Sequence, residues 1–152
     1  MNHNFFMKQA YKEALKARAI NEVPIGCVIV YKDRIIAKSH NKRNTAKNSL
    51  YHGEILAINK ACKVLGDWRL EGCSIFVTIE PCPMCAGAIL QARMSLLVFG
   101  AKNPKAGSVV SINRILDNDS YNHKVKIIPD IMKEECSELM RSFFKKLRKR
   151  TI

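Results

Sequence analysis

The sequence predicts an α/β sandwich with a mixed sheet, and three observations support this class. Short apolar runs rich in β-branched residues alternate with longer segments whose apolar residues recur every three or four positions. The first two runs are separated only by a short turn, which predicts an antiparallel hairpin. The later runs are separated by helical segments, which predict parallel pairing. We expect a single domain over residues 1–152, since this length supports one core.

The first half of the chain predicts a helix, a β-hairpin and a second helix. Phe6, Ala10 and Ala14 have helical spacing, and Pro24 ends that pattern. Gly66 ends the second helix. The predicted bounds are residues 4–18 for the first helix, 25–31 and 34–39 for the hairpin strands, 40–49 for a polar loop, and 52–65 for the second helix.

The second half predicts three further strands between helices. Pro81 or Pro83 begins a helix, because proline is tolerated in the first helical turn. Pro104 and Gly107 indicate a loop. The predicted strands are residues 74–79, 95–100 and 125–128, and the predicted helices are a segment ending near residue 92, a short turn over 112–116, and a final helix from residue 131.

The formal charge of +13, from 26 basic and 13 acidic residues, favours a polyanionic partner such as nucleic acid. Residues 145–150 contain five cations in six positions, a pattern that fits phosphate contacts or a solvated helix end. No stretch approaches the roughly 20 apolar residues that span a bilayer, and no signal peptide is evident. We therefore expect a cytoplasmic protein with no membrane association.

Two of the six cysteines have the spacing of metal ligands. A reducing compartment argues against a disulfide framework. Cys82 and Cys85 are three residues apart at the start of a predicted helix, so both thiols can face one ion. The positive end of the helix dipole lowers thiol pKa values and favours the thiolate that binds metal.

His52 and Glu54 are candidates for the same centre. Residues two apart lie on roughly opposite sides of a helix, so both reach one ion only if it lies beyond the helix end. With Cys82 and Cys85, His52 makes three ligands, and catalytic zinc sites have three protein ligands and a place for water. Glu54 is then placed to accept the proton of that water. A fourth ligand such as His40 would instead close the site.

Three other interpretations fit parts of this pattern. A Cys-x-x-Cys near an α/β pattern is also typical of thioredoxin-like redox sites. Four protein ligands would make a structural zinc site, and a histidine alone is most often a core residue. The redox interpretation leaves His52 and Glu54 unexplained, so the combination favours a catalytic metal site.

His-x-Glu followed by Pro-Cys-x-x-Cys is the signature of zinc-dependent nucleobase deaminases. The chain as a whole resembles the bacterial tRNA-specific adenosine deaminases. The matching stretches are residues 22–26, 68–70, 80–88, 98–101 and 122–125 together with the helix around Phe143 and Phe144. The resemblance implies a cytidine deaminase-like, three-layer α/β/α sandwich with five strands. It also implies one zinc ion per chain, a homodimer, and conversion of adenosine to inosine at the wobble position of the tRNA anticodon stem-loop.

The same resemblance implies roles for individual residues. The zinc ligands would be His52, Cys82 and Cys85, and Glu54 would transfer protons. The target nucleoside would contact Asn41 and the backbone amides of Gly53 and Cys82. The anticodon loop would contact Lys105, Phe144 and Arg148.

The segment beside the ligating histidine departs from the family pattern. Gly53 stands where the family usually has alanine, and Leu50-Tyr51 stands where it usually has Thr-Ala. Leu-His-Gly-Glu also resembles fungal cytosine deaminase. One alternative is therefore a deaminase of free bases or nucleosides, acting on cytosine or guanine with the same zinc chemistry. Another is an RNA-binding subunit that has lost catalysis, which the intact Glu54 argues against.

Overall fold

The structure, a computed structural model, describes residues 1–150 of the chain. Four helices and five strands form in this range. The helices are α1 (His3–Ala19), α2 (Gly53–Leu65), α3 (Pro83–Gln91) and α4 (Lys133–Arg150), and the strands are β1 (Gly26–Tyr31), β2 (Arg34–His40), β3 (Cys73–Ile79), β4 (Leu96–Ala101) and β5 (Lys126–Ile128).

The strands form one mixed sheet in the order β2-β1-β3-β4-β5. β1 is antiparallel to both β2 and β3, whereas β3, β4 and β5 are parallel. The β1–β2 hairpin turns at Lys32 and Asp33, whose φ angles of 50° and 61° are those of a type I′ turn. The predicted hairpin and the predicted parallel pairs are both confirmed.

Helices cover both faces of the sheet. Alanines of α2 and α3 pack with Cys27, Ile75 and Phe99 in one core. On the opposite face, α1 packs through Phe6 and Met7 against the sheet, and α4 adds its buried Cys136. This arrangement confirms the three-layer α/β/α sandwich. The central strand β3 is buried along its whole length, so its carboxyl end is a rigid support for the segment that follows.

One predicted helical turn does not form, and the last helix begins two residues later than predicted. The helical turn predicted over residues 112–116 does not form, because its backbone amides bond within the β4–β5 loop: Ile112 donates to Gly107 O over 2.9 Å and Ile115 donates to Ser108 O over 3.2 Å. The last helix begins at residue 133 and not 131, since Met132 has a φ of 59°, outside helical geometry. No helix within residues 1–150 is long and apolar enough to cross a membrane.

Candidate active site

Helices α2 and α3 begin close to one another, and their first residues carry the candidate ligands. His52 is the N-cap of α2 and Cys82 is the N-cap of α3, both with extended backbone. Neither side chain caps its own helix, although N-cap side chains commonly do. Both side chains are therefore available to the space between the two helices.

His52, Cys82 and Cys85 form one compact cluster. The Nδ1 atom of His52 lies 3.7 Å from Cys82 Sγ and 3.6 Å from Cys85 Sγ. All three candidate ligand atoms lie within 4.8 Å of one another. A tetrahedral zinc site with usual bond lengths separates nitrogen and sulfur ligands by about 3.6 Å. The donor set and its spacing thus fit zinc, and no other such group occurs in the described range.

The cluster carries negative charge on one of its thiols. A hydrogen bond with Cys85 lowers the pKa of Cys82 to about 4, despite partial burial. The same bond, together with burial, raises the pKa of Cys85. The hydrogen bond with Cys82 also raises the pKa of His52. A thiolate paired with an imidazole is a site prepared to receive a cation.

Glu54 lies in the first turn of α2 and is 3% exposed. Burial raises its pKa to about 7, and the negative charge of Cys82 adds to that increase. Its carboxyl group contacts Cys85, yet its Oε1 atom has no hydrogen-bond partner among the described residues. A buried carboxyl oxygen without a partner is costly for stability. Its place beside three candidate ligands therefore indicates a role in chemistry.

Asn41 and Gly53 lie together at the edge of this cluster. The Asn41 side chain accepts a hydrogen bond from Arg43 N over 3.0 Å and donates one to Val23 O over 3.4 Å. A Cβ atom on Gly53 would lie 3.5 Å from Asn41 N and 3.2 Å from His40 Cα. The glycine therefore lets the end of β2 approach α2 closely, and the amide group of Asn41 is held in a fixed orientation there.

His40 does not supply a fourth ligand. Its Nδ1 atom lies 3.3 Å from Glu13 Oε1, a buried carboxylate of α1 that also binds Lys16. Among the described residues the cluster keeps three protein ligands. This count is that of a catalytic metal site and excludes a structural site closed by His40.

Glu80, which lies between β3 and Pro81, is a buried residue to which no sequence pattern assigns a role. Its carboxylate is 2% exposed and accepts hydrogen bonds from the β4–β5 loop. Lys105 lies exposed in that loop. The available signal was a carboxylate at the end of a fully buried strand, because such a group requires several donors.

Phe144 and Arg148 lie on α4, in the layer opposite α2 and α3, so the structure does not bring them into the cluster. The end of α4 is nevertheless tied to the loop after Asn41. Arg150 donates to Asn21 Oδ1 over 3.3 Å, and the next residue, Glu22, accepts from the backbone amides of Asn44 and Thr45. The basic end of α4 and this loop are therefore connected.

The fold and the cluster together define a class of protein. A three-layer sandwich that places histidine, two cysteines and a buried glutamate at two helix starts is a metal-site deaminase of nucleobases. A family model for MafB19-like deaminases matches residues 1–148.

Similarity to individual proteins indicates which deaminases of this class the chain belongs to. The tRNA-specific adenosine deaminase of Bacillus subtilis (strain 168) is 46% identical over 145 residues, which are 95% of this chain and 90% of that protein. A solved tRNA:A34 deaminase is 39% identical, with a TM-score of 0.85 over 89% of this chain and 98% of its own. The solved guanine deaminase of Bacillus subtilis is 32% identical, with a TM-score of 0.66 over 98% and 95%. The chain belongs to the MafB19-like deaminase family and, within it, to the tRNA-specific adenosine deaminases.

Proposed function

We propose that this chain catalyses the hydrolytic deamination of adenosine to inosine at the wobble position of tRNA. The observation that carries the proposal is the buried carboxyl of Glu54, whose Oε1 atom has no partner among the described residues, beside a cluster of three candidate ligands. The 46% identity to a tRNA-specific adenosine deaminase supports the choice of substrate.

His52, Cys82 and Cys85 would hold one zinc ion per chain. Zinc in such a site supplies Lewis acidity, which lowers the pKa of a water molecule from about 15.7 towards 7. The N-cap positions of His52 and Cys82 support this assignment, because each backbone fixes its side chain at a helix start.

Glu54 would move the protons of the reaction. It accepts a proton from the attacking water and delivers it to the ring nitrogen N1 as oxygen bonds to C6. The proton of the new C6 hydroxyl group then passes through Glu54 to the amine, the C6–N bond breaks, the C6 carbonyl of inosine forms, and ammonia leaves. In the metal-free protein, burial raises the pKa of Glu54 to about 7, a direction that favours a carboxyl able to hold a proton as well as to accept one.

The nucleoside would be held by Asn41 and the backbone amides of Gly53 and Cys82. Lys105, Phe144 and Arg148 would contact the anticodon loop. The exposed position of Lys105 and the partial exposure of Phe144 support contacts with RNA. An anticodon base is already unpaired, so moving it into a pocket costs less than extraction from a duplex.

We propose further that the protein is a cytoplasmic homodimer in which each subunit completes the pocket of its neighbour. Val64, in the last turn of α2, and Trp68, three residues after that helix, are both 60% exposed, and large exposed apolar side chains support a protein interface. Light scattering over a range of protein concentrations tests the dimer: a monomer at every concentration would contradict it.

The activity is tested with three substrates in parallel. The zinc-loaded protein is incubated with a tRNA transcript that carries adenosine at the wobble position, with cytosine and with guanine, and inosine and ammonia are measured. We expect inosine from the tRNA and about one zinc ion per chain by metal analysis. An active protein free of zinc would contradict the metal assignment.

The guanine deaminase of Bacillus subtilis, at 32% identity, makes guanine the most informative competing substrate. Ammonia release from guanine without inosine in tRNA would select a free-base deaminase and reject the proposed substrate. The zinc cluster and Glu54 would have the same roles in either reaction, so only the substrate is at issue in this comparison.

A further inference from the structure

We infer that Glu80 is a positioning residue for RNA binding, and that it acts through the loop that presents Lys105. This inference rests on the proposed function, because it concerns how the tRNA is held. Glu80 contacts the loop and not the reacting atoms. Its side chain fixes one surface of the substrate site relative to Cys82.

The carboxylate of Glu80 is surrounded by donors from a single loop. Its Oε1 accepts from Asn103 N over 3.0 Å and from Ser111 Oγ over 2.5 Å. Its Oε2 accepts from three consecutive backbone amides over 3.1, 2.8 and 2.9 Å, those of Val109, Val110 and Ser111. Both ends of the segment 103–111 are therefore held by one buried charge.

The loop is fitted so closely that one position requires glycine. A Cβ atom on Gly107 would lie 2.4 Å from Glu80 Cδ, much closer than atoms of two side chains can approach. Ser108 N donates to Pro81 O over 2.9 Å, which ties the loop directly to the residue before Cys82. The loop and the start of α3 thus behave as one rigid unit.

Lys105 lies at the exposed turn of this loop, between the anchored residues Asn103 and Gly107. Asn103 Oδ1 accepts from Ala106 N, and Asn103 O accepts from Gly107 N, so the turn has its own hydrogen bonds. The position of the Lys105 backbone relative to the metal cluster therefore depends on the Glu80 anchor. A cation presented from a rigid loop binds a phosphate without the entropic cost of ordering that loop.

The test compares Glu80→Gln, Lys105→Ala and the double variant, all loaded with zinc, on an anticodon stem-loop substrate. Glutamine retains the size of the side chain but replaces one acceptor oxygen with a donor. We expect Glu80→Gln to raise KM about tenfold with kcat within about twofold. Its salt dependence should weaken by about one phosphate contact, as in Lys105→Ala. The KM of the double variant should be no higher than that of the more impaired single variant, because both changes remove the same contact.

Lys8→Ala is the matched control, since Lys8 is an exposed cation on α1 that is outside the 103–111 loop and has no proposed contact with RNA. It should leave KM and the salt dependence unchanged. If Glu80→Gln fails to fold, Ser111→Ala decides the question, because it removes only one donor to the carboxylate. It should raise KM by a smaller factor in the same direction.

Several results would overturn the inference. These are lower zinc content or lower kcat at unchanged KM, an unchanged salt dependence, or additive effects of Glu80→Gln and Lys105→Ala. A wild-type protein that forms no inosine in any tRNA would instead reject the proposed function. The two failures are therefore distinguishable in one set of measurements.

Discussion

Two buried glutamates near the same candidate metal site, Glu54 and Glu80, differ in almost every other respect. Glu80 is surrounded by donors, and although burial raises its pKa, the hydrogen bonds from Ser111, Val110 and Asn103 bring it below its ordinary value. Glu54 has an oxygen without a partner, and burial raises its pKa to about 7. Both oxygens of Glu80 accept hydrogen bonds from the protein, whereas Oε1 of Glu54 has no partner among the described residues.

This difference shows that burial alone does not identify a catalytic acid. A satisfied carboxylate contributes stability and shape, whereas an unsatisfied one costs stability and persists where chemistry requires it. We make four predictions from this difference, because substitution of Glu54 and substitution of Glu80 should impair different properties of the protein.

The largest expected effect is on turnover. Glu54→Gln removes the proposed proton carrier and should lower inosine formation by about 10²–10⁴-fold, the usual contribution of general acid–base catalysis. Zinc content should remain near that of the wild type. The matched control is Glu71→Gln, which should keep full activity. Glu71 is exposed and precedes β3, whereas Cys82 follows the other end of that strand. Wild-type turnover in Glu54→Gln would remove this residue from the mechanism.

The second effect is on the stability of the metal-free protein. Glu80→Gln replaces one acceptor oxygen with a donor, so at least one loop donor loses its acceptor, and the variant should lower the free energy of unfolding by about 1–3 kcal/mol. Glu54→Gln should cause no such loss, because no donor depends on the free Oε1 atom. Urea denaturation measures both variants. Equal losses in the two would contradict the distinction between them.

The third effect is opposite pH dependence in the metal-free protein. The folded-state pKa of Glu80 is lowered from 4.5, so its stabilisation is present above that pH and is lost as the pH falls through the folded value. The pKa of Glu54 is raised from 4.5 to about 7, so stability falls as the pH rises across that interval.

Unfolding free energies measured across a pH series test these signs. Glu80→Gln should flatten the acid side of the curve, and Glu54→Gln should flatten the interval between 4.5 and about 7. A variant that flattens the other residue's interval would show that the two titrations are assigned to the wrong groups.

The smallest effects concern two glycines, one beside each glutamate. Gly107→Ala forces a Cβ to within 2.4 Å of Glu80 and should destabilise the protein by about 1–3 kcal/mol. Gly53→Ala brings a Cβ to 3.2 Å from His40 Cα, which small shifts accommodate, so the expected loss is under about 1 kcal/mol. Thermal unfolding measures which variant loses more stability, and a larger loss in Gly53→Ala than in Gly107→Ala would contradict the described packing.

The candidate cluster could be predicted from the sequence because its chemistry is encoded in short spacings. Cys82 and Cys85 share a helix start, and His52 and Glu54 share another, as expected from an ion beyond the helix ends. Alternating strands and helices likewise predicted the sheet. These features depend on local periodicity and on helix geometry.

The Glu80 anchor could not be predicted in this way. Its donors lie 23–31 residues further along the chain and are mostly backbone amides, which every residue except proline possesses. The helical turn near Ile112 does not form because Ile112 N donates to Gly107 O and Ile115 N donates to Ser108 O within the same loop. The conformation of this loop also depends on the buried charge of Glu80, which lies between β3 and Pro81, and local propensity does not include it.

The proposed reaction is hydrolysis of adenosine in tRNA with Glu54 as the proton carrier. A direct test is incubation of a wobble-adenosine tRNA with zinc-loaded protein in water enriched in heavy oxygen, followed by nucleoside mass spectrometry. We expect inosine at the wobble position that carries one heavy oxygen atom, with little product from Glu54→Gln. Unmodified adenosine after incubation with the wild-type protein, or inosine without solvent oxygen, would contradict it.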